Sequence, residues 1–167
     1  MKNLYNKRKF VNAEQRCSID ILLNEGDTFF INNLNQLNIS HYNYDINEAI
    51  DELCLDKDVI DQLLEDYVIQ ILKSKIIFYK YIQELKQAEY ENVDLDYSKI
   101  RDLAHKNLGV ARNLRIKDAK IILEELMKED DLDYLRICVK ALEISAVKLN
   151  PFCAYETMNL IQVKNSL

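Results

Sequence analysis

Few side chains in this chain can do chemistry at neutral pH. Its 167 residues include two histidines and four cysteines. Cys17, Cys54, Cys138 and Cys153 are far apart and form no CxxC or CxxH pair. Their spacing predicts neither a structural zinc site nor a disulfide framework, and they read as small buried thiols. His41 lies in a Tyr/Asn-rich stretch and reads as a surface loop residue. That leaves His105, in the segment Arg101-Asp102-Leu103-Ala104-His105-Lys106-Asn107-Leu108-Gly109-Val110-Ala111-Arg112-Asn113-Leu114-Arg115.

On a helical wheel of about 100° per residue this segment has two faces. Ile100, Leu103, Ala104, Val110, Ala111 and Leu114 gather on one side, which is the expected core stripe. His105 lies nearly opposite, with Ser98, Asp102, Gly109, Arg112 and Ile116. The imidazole is therefore expected to project outward from the middle of a helix. A neutral imidazole is a competent nucleophile at neutral pH. Gly109 follows one turn later, although glycine inside a helix costs about 1 kcal/mol relative to alanine. Residues four apart are stacked neighbours, so Gly109 clears room beside the ring for a partner or a phosphoryl group. Arg101 and Arg112 flank the same face, and arginine matches phosphate oxygens well. Lys106 is the adjacent base.

The elements that hold this helix follow from the rest of the pattern. Two Gly and one Pro are too few for an all-β sandwich or for a glycine-rich phosphate loop on an α/β fold. Asp45-Ile46-Asn47-Glu48 is a capping pattern for a short helix to about Leu53. Asp56 opens a long helix from Lys57 to about Glu89, with apolar residues recurring at three and four. Asp96 caps the histidine helix, Tyr97 to about Leu114. Further helices are predicted over Ala119–Lys128, over Leu132–Leu149, and from Pro151 to about Lys164, the last with Asn150 as cap and proline at its first position. Short links between long amphipathic helices predict antiparallel neighbours. The expected fold is all-α, an antiparallel four-helix bundle core with additional short helices.

In domain terms, residues 41–150 read as the bundle and 151–167 as a C-terminal helix packed on it. Residues 1–40 read as an N-terminal extension. In it Ile19–Leu23 and Phe29–Ile31 flank the turn-like Glu25-Gly26-Asp27, and a short hairpin or two short helices each fit.

The histidine helix resembles the motif of the histidine-containing phosphotransfer (HPt) domains of two-component phosphorelays. Their pattern is H-x-x-K-G, followed by small residues and a leucine. His105 matches the phosphoryl acceptor, Gly109 the glycine, and Ala111 and Leu114 the positions after it. Leu63-Leu64-Glu65-Asp66-Tyr67 resembles the family's L-L-x-x-F stretch in the preceding helix. The resemblance covers about Tyr44 to Leu149. It departs from the pattern at Leu108, where the family has a lysine thought to hold the phosphoryl group or the partner's acidic site, and at Asn107, which falls on the core side of the wheel and where the family has an apolar residue.

The resemblance implies a phosphocarrier, not an autonomous enzyme. His105 would take a phosphoryl group from a receiver-domain aspartate and pass it on. The chain would need no cofactor of its own, since Mg²⁺ would belong to the receiver. A response-regulator receiver domain or a hybrid histidine kinase would be the partner. Gly109, Arg112, Arg101, Lys106 and Leu108 would contact phosphate or partner, with Leu108 and Ile116 as exposed apolar docking residues. The alternative is an HPt-like interaction module that docks signalling proteins without carrying phosphate. A di-iron bundle is excluded by ligand count, because Asp102 with His105 is the one carboxylate-x-x-His pair.

The net charge of −6 argues against a general nucleic-acid binder. The basic cluster Lys2, Lys7, Arg8 and Lys9 reads as a surface tail. No apolar run is long enough for a membrane span, and none follows that cluster as a secretory signal would require. A cytoplasmic location is expected. Phe152, Tyr155, Met158 and Ile161 form a C-terminal stripe, so a homodimer through the terminal segments is a further expectation.

Overall fold

The computed structural model describes residues 13–166, and the basic cluster at Lys2, Lys7, Arg8 and Lys9 lies outside them. Among the described residues there are seven α-helices and no strand. They are α1 (Ala13–Leu34), α2 (Ile46–Leu53), α3 (Lys57–Tyr90), α4 (Ser98–Asn113), α5 (Lys117–Lys128), α6 (Leu132–Leu149) and α7 (Pro151–Asn165). No helix among them is long and apolar enough to cross a membrane.

Helices α3 to α6 close into an antiparallel four-helix ring, each packed on the next and α6 back on α3. Polar pairs across the seams show the directions. Along α3 and α4, Glu84 meets Lys99 at 3.0 Å and Gln70 meets Asn107 at 2.6 Å. Along α3 and α6, Lys86 meets Asp133 and Lys75 meets Glu143, both at 2.6 Å. In each case one number falls as the other rises. The ring encloses Tyr67, Ile71, Phe78 and Ile82 of α3, Ala104 and Ala111 of α4, Ile122 and Leu126 of α5, and Leu135 and Leu142 of α6.

The capping residues act largely as their types require. Asp45 accepts from the Asn47 N–H at 3.0 Å, Asp131 from Tyr134 at 2.8 Å, and Asn150 from Cys153 at 3.0 Å. Asp96 is not the cap expected of it: α4 begins at Ser98 with Tyr97 at the cap position and no side-chain cap bond. Asp96, one residue earlier, still accepts from the Ser98 N–H at 2.9 Å, and that backbone bond holds its carboxyl below the ordinary value. Asp56 starts α3 without a side-chain bond.

The expected hairpin or pair of short helices near Gly26 is instead the single helix α1, 22 residues long. Gly26 is not a turn residue. It is buried where α1 crosses α6, and a Cβ there would lie 2.7 Å from Ile144 Cγ2. Its missing side chain permits the close approach of the two helices. Ile19, Phe30 and Leu34 then join the common core. Asp27, next to Gly26, binds Lys148 Nζ of α6 at 2.9 Å and the His41 backbone N–H at 3.2 Å. Burial raises the Asp27 carboxyl, but these bonds and the two positive neighbours outweigh it and hold the pKa below 3.8.

Helix α7 lies on α3, α6 and α1, burying Cys153, Ala154, Tyr155 and Thr157 and leaving Leu160 and Val163 exposed. Of the four thiols expected to be buried, Cys138 and Cys153 are; Cys17, within α1, and Cys54, the residue that ends α2, are exposed. Burial pushes the Cys138 thiol up to about 12, so it stays protonated.

Candidate functional site

Helix α4 owes its fixed place to both neighbours. Its inner row is Ile100, Ala104, Asn107, Leu108 and Ala111. Asn107 is fully buried, as the wheel required of a residue on the core side, and its amide is satisfied. Nδ2 donates to the Leu103 carbonyl at 2.9 Å and to Ser74 Oγ at 3.2 Å, while Oδ1 accepts from Gln70 Nε2 at 2.6 Å. A polar residue where the resembled family has an apolar one thus stitches α4 to α3.

The C-terminus of α4 is held as firmly. Arg115 adopts a left-handed backbone (φ 59°), and the Arg115 and Ile116 N–H groups bond back to the Arg112 and Ala111 carbonyls. This reverses the chain within a few residues and closes the helix. Two tyrosines from the segment before α2 complete the cap. Tyr44 donates to the Leu114 carbonyl at 2.7 Å, and Tyr42 to that of Arg115 at 3.2 Å. Burial raises the Tyr44 phenol to about 12, keeping it a donor.

On this frame His105 is exposed at mid-helix, as the wheel predicted. Gly109 is exposed one turn on, has no positive φ, and a Cβ built there would meet nothing within 4 Å. The chain's own packing and backbone therefore do not demand glycine. Asp102 and Lys106 share the exposed face, and neither has a hydrogen-bond or ion-pair partner among the described residues.

The other expected contacts are placed differently. Arg101 is turned to the α5–α6 connection, where it pairs with Asp130 at 2.6 Å and stacks on Tyr97. Arg112 pairs with Glu124 of α5 at 2.9 Å. Both guanidinium groups already serve carboxylates of this chain. Leu108 and Ile116 are not exposed docking residues. Leu108 is 3% exposed, because it stands one turn after Ala104 and points at the seam with α5. Ile116 is fully buried, because the left-handed Arg115 ends the helix and the wheel no longer applies beyond it.

His41 sits in a loop, exposed, with Nδ1 3.2 Å from Asp27 Oδ2. No group of His, Cys, Asp and Glu among the described residues is arranged to hold a metal ion. The groove between α3 and α7, lined by Leu72, Ile76, Met158 and Ile161, and the one beside Tyr90 and Asp131 both lie away from His105. The imidazole stands on the outside of a helix, open to a macromolecule. No protein-family model, no curated protein and no solved structure matches the chain.

Proposed function

We propose that this chain is a phosphocarrier of a two-component phosphorelay, with His105 as the phosphoryl acceptor. The observation that carries the reading is the exposed imidazole at the middle of a rigidly held helix, beside a glycine that the chain's own packing does not require. The order of helices in the antiparallel ring agrees with it.

In the reaction, an imidazole nitrogen of His105 attacks the phosphorus of an aspartyl phosphate on a receiver domain. The P–N bond forms as the acyl P–O bond breaks, and the aspartate leaves as a carboxylate. The reverse step delivers the group to a second receiver. Positioning and charge neutralisation by the receiver, including its Mg²⁺, supply most of the catalysis. This chain contributes an open, fixed nucleophile and, in Lys106, a cation not engaged elsewhere. Leu108 brings no charge to the site.

The burial of Leu108 favours one second reading, an interaction module that docks receivers or other signalling proteins without accepting phosphate. Label transfer from phosphorylated receiver domains distinguishes the two. The proposed function requires an acid-labile label on the wild type and none on His105→Gln, with receiver binding retained in both. Binding of receivers without label on the folded wild type would leave only the interaction module.

A further inference from the structure

Most described Lys and Arg side chains hold a carboxylate of the chain itself. The exceptions are Lys73, Lys80, Lys106, Lys164 and Arg136, the last of which lies over the Tyr79 ring. Three of these five border one seam, that between α3 and α4. The register of the seam is given by Gln70 and Ser74 on Asn107 at one end and by Tyr81 and Glu84 on Lys99 at the other. Residues 70, 74, 77, 81 and 84 advance by four, three, four and three, so they form one row along α3. Ile77 is the member of that row between the two ends. It faces the stretch of α4 that carries Leu103 and Lys106, and it is 39% exposed. Lys73 stands one turn before it and Lys80 one turn after, both exposed.

The spacing leaves these lysines unneutralised. Lys73 has Ile69, Gln70, Ile76 and Ile77 at its helical neighbour positions, and none is acidic. Glu84 stands four after Lys80 but is drawn across the seam to Lys99. Asp102 stands four before Lys106 without pairing to it, and Glu84 and Asp102 are the acidic groups beside the patch. In a chain of net charge −6, an apolar residue framed by three unpaired ammonium groups is charge-complementary to an acidic surface. A long polyanion such as nucleic acid would meet the repulsion of the whole molecule, whereas a protein surface of limited extent meets only the patch.

We infer that the α3–α4 seam, through Lys73, Ile77, Lys80 and Lys106, is a docking surface for an acidic protein surface. It adjoins the face of His105 but does not depend on phosphoryl transfer. Under the proposed function it would extend the receiver's footprint onto α3.

The test is a titration of isotope-labelled full chain with a short synthetic peptide of aspartate, glutamate and leucine, followed by amide shifts. The expected shifts cluster at residues 73–80 and 103–106 and fade with added salt. The triple variant Lys73→Glu/Lys80→Glu/Lys106→Glu, folded by circular dichroism, should bind about tenfold more weakly or worse, since rim charges steer such encounters. A control with Lys57, Lys120 and Lys164 reversed has the same net charge and should bind almost as the wild type does. Equal loss in both variants, shifts elsewhere, or no shifts would overturn the inference. So would tighter binding of phosphatidylserine vesicles or duplex DNA to the same residues. Peptide docking together with failure of every receiver to transfer phosphate would uphold the surface and remove the relay.

Discussion

Replacing Gly109 with alanine separates stability from function. The glycine lies inside α4 with ordinary helical φ, and an added methyl meets nothing within 4 Å. The variant therefore gains helix propensity of about 1 kcal/mol without a steric cost. For a chain of this length that corresponds to a Tm rise of about 3 °C. The same methyl stands one turn from the imidazole, where under the proposed function the receiver would approach, and on that reading phosphotransfer should slow on the order of ten- to a hundred-fold. Calorimetry and timed label transfer on one preparation measure both. Gly26→Ala is the internal contrast. Its Cβ would stand 2.7 Å from Ile144 Cγ2, a stiff branched side chain that is 2% exposed. Overpacking there costs about 1–3 kcal/mol, which at least offsets the same helix-propensity gain of about 1 kcal/mol, so the Tm should not rise and transfer per folded molecule is unchanged. A lower Tm for Gly109→Ala would show that the fold needs this glycine. A higher Tm with undiminished transfer would refute the argument that the glycine keeps space for a partner.

Asn107→Ala should lower stability by about 2–3 kcal/mol in denaturant titrations, because the buried Ser74 and Gln70 groups lose their partner. Asp27→Asn should be less stable than the wild type near neutrality. The sign follows from a carboxyl held below 3.8 in the fold, whose stabilisation is present above that pH and lost as pH falls through the folded value. Melting curves of the pair should therefore converge in strong acid, and a gap that persists there would point to packing instead of charge.

Much of the ring was legible because its helix ends carry short-range signals. Asp45, Asp131 and Asn150 cap helices by local chemistry that needs no tertiary context. Helix α1 was not, because Gly26 beside Glu25 and Asp27 has the composition of a turn. The reason for that glycine is Ile144, more than a hundred residues away. A signal was nonetheless present: Ile19, Leu22, Gly26, Phe30 and Leu34 keep helical spacing once glycine counts as a core-facing residue. At the site, the outward direction of His105 and the inward one of Asn107 followed from 100° geometry alone. The fates of Arg101 and Arg112 did not, since Asp130 and Glu124 reach them from another helix and a loop. Ile116 was misplaced because a wheel has no knowledge of where a helix reverses.

The packing of α1 on α6 also bears on how the chain is made. Helix α1 is synthesised early, yet the groove that takes Gly26 and Phe30 is completed by residues around Ile144 and Lys148. At roughly 5–20 residues per second, the ribosome delivers that partner several seconds later. During this interval Ile19, Leu22, Phe30 and Leu34 form an apolar stripe with nothing to cover it. The nascent chain therefore carries this stripe uncovered until α6 emerges, and α3 waits for the same helix, whereas α4 and α5 pack on each other and are made one after the other.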